Sequence, residues 1–250
     1  RAIMKYKKQY RIDYIVDYRD KDALKTIKKA QTVFLYDVPS LQRSEIIRFC
    51  YKEKKNIYMN PEMEDIVEIN AQYYLLDDVS VINANVKAWT MEQRVMKKLM
   101  DMGLAILLGI LTSPIWLVSA IAIKAYDGGS IFFKQKRATI HGRVFEVYKF
   151  RTMRENVENR SVTDDDDRIT KPGKILRKTR MDELPQLINI LKGDMSFVGP
   201  RPEMLENVEA YEEELPEFRY RLRVKAGLTG YAQIAGKYNT SPKDKLIMDM

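Results

Sequence analysis

GLAILLGILTSPIWLVSAIAI, residues 103–123, is the stretch that decides how the rest of the chain must be arranged. Interrupted only by Thr112, Ser113, Pro114 and Ser119, it has about the 20 apolar residues that a bilayer-spanning helix needs. Ser113-Pro114 stands in its middle. Proline removes a backbone donor and crowds the preceding turn, which bends or breaks a helix, and a neighbouring serine hydroxyl can satisfy the carbonyl left over. Basic residues lie on both flanks: Lys97 and Lys98 before it, then Lys124, Lys134, Lys136 and Arg137 after it. A simple span carries its positive bias on one side only. Both ends therefore read as cytoplasmic, and the segment, about residues 99–123, as a re-entrant membrane helix broken at Ser113 and Pro114. A kinked or straight span and a buried core hairpin are the competing readings.

Upstream, residues 10 to 86 alternate β-rich and helical runs: Tyr10–Val16, Asp22–Ala30, Thr32–Val38, Ser40–Lys55, Ile57–Asn60, Pro61–Asn70 and Tyr73–Ile82. That order reads as βαβαβαβ, a small Rossmann-like parallel sheet covered by helices. It has no G-x-G-x-x-G turn, so dinucleotide binding gains no support and a structural or regulatory module is the better reading. Downstream, Ser130–Lys134 and Val144–Phe150 read as strands, Glu183–Leu191 as a helix and Pro202–Glu214 as an acidic helix. The expected class is α/β: a Rossmann-like domain over residues 1–88, then an α-rich α+β domain over residues 89–250. The acidic run Asp164–Asp167 reads as a solvated loop, because consecutive carboxylates in an extended segment cannot all face one ion.

The 250 residues hold 43 Lys and Arg against 35 Asp and Glu, a net charge of +8 that favours anionic partners. The single cysteine, Cys50, cannot form an internal disulfide and reads as a buried small hydrophobe in a reducing compartment. His141, the sole histidine, reads as a loop residue and excludes a multi-histidine zinc site. Aromatics are not interleaved with basic clusters, and neither helix-turn-helix nor zinc-finger spacing occurs, so nucleic acid is not an expected partner. The sequence opens on Arg1 with no basic-then-apolar leader, and is read as a piece of a longer chain.

Thr179-Arg180-Met181-Asp182-Glu183-Leu184-Pro185 opens an amphipathic pattern, with Leu184, Leu187, Ile188 and Leu191 at i, i+3, i+4 and i+7. Asp182 is expected at or near the N-cap and Pro185 in the first turn. A helix N-terminus favours negative charge, so one place could hold both a carboxylate nucleophile and the phosphate it attacks, while Glu183 could carry a magnesium ion. An ordinary capping aspartate followed by a first-turn glutamate is the plain alternative. Cationic residues add weight: Lys149 and Arg151 close a strand, Arg177 lies five residues before Asp182, and Gly199-Pro200-Arg201-Pro202 fixes an arginine in a rigid turn. The guanidinium fork matches phosphate oxygens two at a time, and several such groups meeting in space would suit a pyrophosphate.

The blocks QKRATIHGRVFEVYKFRTM (residues 135–153) and DRITKPGKILRKTRMDELPQLINILKGDMSFVGPRP (residues 167–202), with Gly227-Leu228-Thr229-Gly230 and Ala232-Gln233, closely resemble the monotopic polyprenyl-phosphate phosphoglycosyl transferases of bacteria. The resemblance runs from about Thr90 to the end. The N-terminal segment ending in Leu75-Leu76-Asp77-Asp78-Val79 is similar to the nucleotide-binding-like cytoplasmic domain of the large members, which carry four transmembrane helices further upstream. The resemblance implies a re-entrant helix broken at Ser113-Pro114 and a protein confined to one leaflet, on the cytoplasmic face of the inner membrane. It implies that Asp182 attacks a UDP-sugar, releases UMP and becomes an aspartyl phosphosugar, and that undecaprenyl phosphate then takes the sugar phosphate. It implies Mg2+ at Glu183, phosphate contacts at Arg177 and Arg201, and a role in exopolysaccharide, capsule or O-antigen synthesis.

Lys149, Arg151, Arg177, Pro200 and Arg201 are thus the expected substrate-binding set around Asp182 and Glu183. Two departures stand out: Ala138 replaces a usual glycine, and Arg180-Met181 replaces a commoner Ser-Leu before the dyad. The sugar stays open among glucose, galactose and N-acetylated sugars, and the N-terminal module leaves room for a homodimer. The rival reading is a non-catalytic membrane-attached assembly or regulatory protein that binds anionic lipid.

Overall fold

A computed structural model describes residues 11–62, 64–65, 68, 71–83, 89–154, 166–236 and 240–250. The chain separates into two compact units, residues 1–84 and 85–250.

In the first unit, helix α1 (Ala23–Lys29) leads to strand β1 (Thr32–Leu35), helix α2 (Ser40–Lys52) and strand β2 (Asn56–Met59). β1 and β2 pair in parallel, Thr32 opposite Asn56 and Leu35 opposite Met59, as a helical crossover requires. Val33, Leu35, Ile46 and Cys50 form the core between α2 and the strands, and Cys50 is wholly buried. The tail of the unit departs from the expected parallel sheet. Residues 73–82 are not one strand: β3 (Gln72–Leu76) and β4 (Val79–Asn83) fold back antiparallel, Leu76 opposite Val79. The turn between them is Asp77-Asp78, with Asp77 in the left-handed region at φ 60°. Aspartate tolerates that conformation, and the two-residue reversal lets the segment pair with its own neighbour instead of crossing over. Residues 11–16 belong to no strand, Tyr10 lies outside the described residues, and so does much of the helix expected over Pro61–Asn70. The parallel sheet therefore has two strands among the described residues.

The second unit begins with α3 (Met91–Asp127), a helix of 37 residues and, at 1.5 Å per residue, roughly 55 Å long. Its ends explain its length. Thr90 and Gln93 form a reciprocal capping box, and Gly128 closes the C-terminus in the left-handed conformation at φ 72°. The helix is therefore longer than the apolar stretch, and it continues through Ser113-Pro114 without the interruption expected there. The Ser113 hydroxyl donates to the Ile110 carbonyl at 2.8 Å, the carbonyl that Pro114 has no N–H to serve. Leu104, Ile106, Leu107, Ile110, Leu111, Leu117, Val118 and Ile121 are all exposed, which excludes the buried core hairpin. By length and composition α3 could cross a membrane.

After α3 come the antiparallel strands β5 (Phe132–Ala138) and β6 (Val144–Phe150), with Phe132 opposite Phe150. Trp116 of α3 packs edge-on against both phenylalanines, which fastens the apolar helix to the hairpin. His141 sits in the connection, at φ 58°. Helix α4 (Lys171–Lys178), a 3-10 turn (Met181–Glu183), helix α5 (Gln186–Lys192) and strand β7 (Met195–Val198) follow. Then come helix α6 (Leu205–Glu214), a 3-10 stretch (Pro216–Arg223), strand β8 (Ala226–Thr229), parallel to β7, and helices α7 (Tyr231–Ala235) and α8 (Pro242–Asp249). Ala105, Phe145, Val147, Leu187, Ile190, Met195 and Ala226 form the core that joins α3, β6, α5, β7 and β8.

The expected amphipathic stripe on α5 is partly corrected. Leu191 is exposed, and Asn189 and Ile190 are buried instead. Asn189 bridges the backbone of β6: its Oδ1 accepts from Tyr148 N at 3.0 Å and its Nδ2 donates to Glu146 O at 2.7 Å. A buried polar side chain that satisfies a strand edge carries no apolar signature, so the spacing of leucines could not show it.

Candidate active site

Asp182 and Glu183 lie in the 3-10 turn Met181–Glu183, ahead of α5, whose first residue is Gln186 and whose N-cap is Pro185. The dyad is thus one turn earlier than the expected N-cap. Arg180, in the left-handed region at φ 59°, reverses the chain after α4 and points the turn back toward β6. Arg180 thereby adopts a conformation that most non-glycine residues avoid.

Glu183 is where the sequence-distant cations meet. Its Oε1 accepts from Lys149 Nζ at 2.9 Å and from Arg201 at 3.4 Å. Burial acts to raise the Glu183 carboxyl, but Lys149 and Arg201 outweigh it and hold the group below its ordinary range. Burial lowers Lys149, against the pull of Glu183. Asp182 is different. Its Oδ1 is buried with no hydrogen-bond partner, and burial, reinforced by Glu183, pushes its carboxyl up against the opposing charges of Lys149 and Arg177. A buried carboxylate oxygen left unpaired beside cations is unfavourable as mere structure and marks the group as a candidate for chemistry.

The remaining expected residues take different places. Arg177 Nε donates to Thr152 Oγ1 at 2.9 Å, two residues beyond the end of β6, while its charge reaches Asp182. Arg151 is buried and ion-paired with Asp127 at the end of α3, away from the dyad contacts. Pro200 is buried, and its carbonyl accepts from Gly227 N at 2.8 Å. That bond belongs to a backbone-to-backbone contact: a Cβ on Gly227 would stand 2.2 Å from Gly199 N, and one on Gly199 2.3 Å from Lys225 O. Only glycines permit the loop carrying Arg201 to lie this close to β8. The sequence held those glycines in plain view without showing what they approach. Three further residues were not among the expected site residues. Gln233 accepts from the Arg201 guanidinium at 3.1 Å, Arg221 donates to the Arg201 carbonyl at 3.4 Å, and Arg137 donates to the Pro202 carbonyl at 3.4 Å.

Among the described residues no group of three or more metal-ligating side chains is gathered. Among the described residues the Glu183 side chain makes both of its hydrogen bonds through Oε1, and Asp182 adds a second carboxylate. An oxygen-only pair of this kind fits magnesium, which is commonly held by one or two carboxylates together with substrate phosphates.

Residues 92–250 match the family described as bacterial sugar transferase. Over 154 residues the chain is 41% identical to a UDP-N-acetylgalactosamine-undecaprenyl-phosphate N-acetylgalactosaminephosphotransferase of Aeromonas hydrophila, covering 60% of this chain and 36% of that protein. Over 143 residues it is 41% identical to a UDP-glucose:undecaprenyl-phosphate glucose-1-phosphate transferase of Caulobacter vibrioides, covering 56% and 54%. Over 207 residues it is 35% identical to a galactosyl transferase, CpsE, of Streptococcus agalactiae, covering 73% and 45%. The chain spans roughly a third to a half of the length of these relatives.

Proposed function

Since the chain belongs to the bacterial sugar transferase family, we propose that it transfers a sugar-1-phosphate from a UDP-sugar to undecaprenyl phosphate, the first membrane step of a bacterial polysaccharide. The observation that carries this reading is the buried, unpartnered Oδ1 of Asp182 beside Glu183, Lys149 and Arg201.

The chemistry follows from that arrangement. An Asp182 oxygen forms a bond to the sugar-bearing phosphorus, the diphosphate P–O bond breaks, and UMP leaves with the electron pair. An oxygen of undecaprenyl phosphate then attacks the aspartyl phosphosugar, giving undecaprenyl-diphosphate-sugar and returning the Asp182 carboxylate. Splitting the transfer keeps the two anionic substrates from meeting in one step. Lys149 and Arg201 draw the donor's diphosphate toward the dyad and offset its charge, and Arg177 does the same from the Thr152 side. Glu183 keeps both cations in place and would hold a magnesium ion through its other oxygen. When bound, that ion would neutralise charge developing on the leaving phosphate.

The same reading makes residues 89–250 the catalytic domain, set on one leaflet by a re-entrant α3, and residues 1–88 a Rossmann-like regulatory or structural module as in the large members. The donor sugars in the relatives' names differ, so the sugar is a matter for assay. The test is UMP release from a panel of UDP-sugars with magnesium and undecaprenyl phosphate, comparing the protein with Asp182→Asn. Release from one sugar that the variant abolishes supports the reading. Lipid binding without release from any donor would favour the assembly role instead.

A further inference from the structure

Of Lys149, Arg177 and Arg201, it is Arg201 that rides on a loop, so something other than secondary structure must aim it. Its guanidinium NH1 meets Gln233 Oε1 at 3.1 Å while NH2 reaches Glu183 Oε1 at 3.4 Å. Arginine has only donors, so the Gln233 oxygen must face it, and the Gln233 amide nitrogen accordingly turns to Gly227 O at 3.5 Å. The backbone of Arg201 is held as well. Its carbonyl accepts from Arg221 at 3.4 Å, and Arg221, almost completely buried, is neutralised by Asp249 at 2.7 Å. Asp249 is buried too, and its other oxygen accepts from Ala232 N at 3.3 Å, in the short helix that carries Gln233. Lys245, one turn before Asp249, pairs with Glu203 at 3.0 Å, two residues beyond Arg201.

We propose that helices α7 and α8 form a clasp that positions Arg201, with Gln233 aiming its guanidinium at the donor diphosphate and the Asp249–Arg221 pair fixing its backbone. The Gln233 and Arg221 contacts end on Arg201 and the Lys245 contact on its loop, while Asp249 anchors both Arg221 and the helix that carries Gln233. A buried ion pair is a costly way to gain stability alone, because desolvation cancels much of the attraction. It suits an element whose geometry has to be unique. Gln233 and Asp249 are positioning residues: in this arrangement they act through Arg201 and touch neither carboxylate of the dyad.

The inference rests on the transferase reading of Arg201, and its test separates the two. Binding of inorganic pyrophosphate to the full chain in detergent would be measured by calorimetry for wild type, Gln233→Ala, Arg201→Ala and the double variant, with UMP release followed in parallel. Gln233→Ala is expected to weaken pyrophosphate binding and UMP release by about tenfold, since misaiming a charge by an ångström costs that much or more. With Arg201 already replaced, the same change is expected to cost less than about twofold, because the two act as one unit. Asp249→Asn is expected to show the same dependence on Arg201. Equal losses in both backgrounds, or no pyrophosphate binding by wild type, would overturn the clasp. Coupled pyrophosphate binding without UMP release from any donor would leave the clasp standing and remove the reaction.

Discussion

Lys149 Nζ lies 2.9 Å from Glu183 Oε1, and this contact ties the C-terminal end of strand β6 to the carboxylate beside Asp182. Both partners are largely withdrawn from water, with side-chain exposures of 22% and 14%. Such a pair is far more sensitive to loss of one member than a surface ion pair would be.

Lys149→Met removes the charge that lowers both carboxyls. Both then titrate higher, and activity that needs them ionised is lost at a higher pH on acidification. The acid limb of kcat/KM is expected to move upward, with a fall of about a hundredfold at neutral pH. An unmoved acid limb would contradict this account of Lys149.

Asp182→Asn is expected to cut UMP release by about a thousandfold or more. It is also expected to stabilise the protein. Because the folded carboxyl is raised, its contribution to stability is present at low pH and lost as pH rises through the folded value. At neutral pH the ionised form is a burden that asparagine does not carry. The gain should be about 1 kcal/mol or less, since the site is only half-buried. Thermal unfolding across pH 4 to 8 checks it: the two proteins should converge at the acid end and separate toward neutrality.

Glu183→Gln is expected to raise the magnesium concentration needed for half-maximal UMP release by about ten- to a hundredfold, because the oxygen ligand loses its charge. Chelation should stop the wild-type reaction and added magnesium restore it. Activity indifferent to magnesium would remove the metal from the mechanism.

Gly227→Ala would place a Cβ 2.2 Å from Gly199 N. The three nearest atoms are all backbone, so the loop must shift, at a cost of roughly 3 kcal/mol. The expected signature is lowered stability together with weakened donor binding, because the Arg201 loop is the part displaced. Chemical denaturation and the KM for the donor sugar nucleotide measure the two effects.

If α3 re-enters the leaflet, single cysteines introduced in place of Lys98 and Lys124 should both label from the cytoplasmic side. Cys50 is buried and gives little background. Pro114→Leu should straighten the helix and move one flank or impair activity. Labelling of the two flanks from opposite sides in the unaltered helix would make it a span.

The legible parts of this protein were those with a local signal. The alternation Val144–Phe150 and the alternating pattern Asp22–Lys55 give strands and helices close to those found, and α2 ends within three residues of its expected limit at Lys55. The hairpin at Asp77-Asp78 was hidden because both strands are apolar on both faces and no Asn-Gly or Asp-Gly marks the turn. In the site, Asp182, Glu183, Lys149 and Arg201 could be named because charge and spacing are visible in one dimension. Arg151 could be named but not placed, since its partner Asp127 is 24 residues away. Gln233, Asn189 and Asp249 act through contacts with groups distant in the chain, which residue type alone does not reveal.

Within α3, Thr112 donates to Leu108 O at 2.7 Å and in turn accepts from the Trp116 indole at 3.2 Å, while Ser113 serves Ile110 O at 2.8 Å. The polar atoms around the proline are thus satisfied by the helix itself. A lipid chain lying against this segment would meet hydrocarbon and closed hydrogen bonds, with no thirsty carbonyl to draw water into the bilayer. The bend that Pro114 permits could therefore form in a greasy environment without opening a leak.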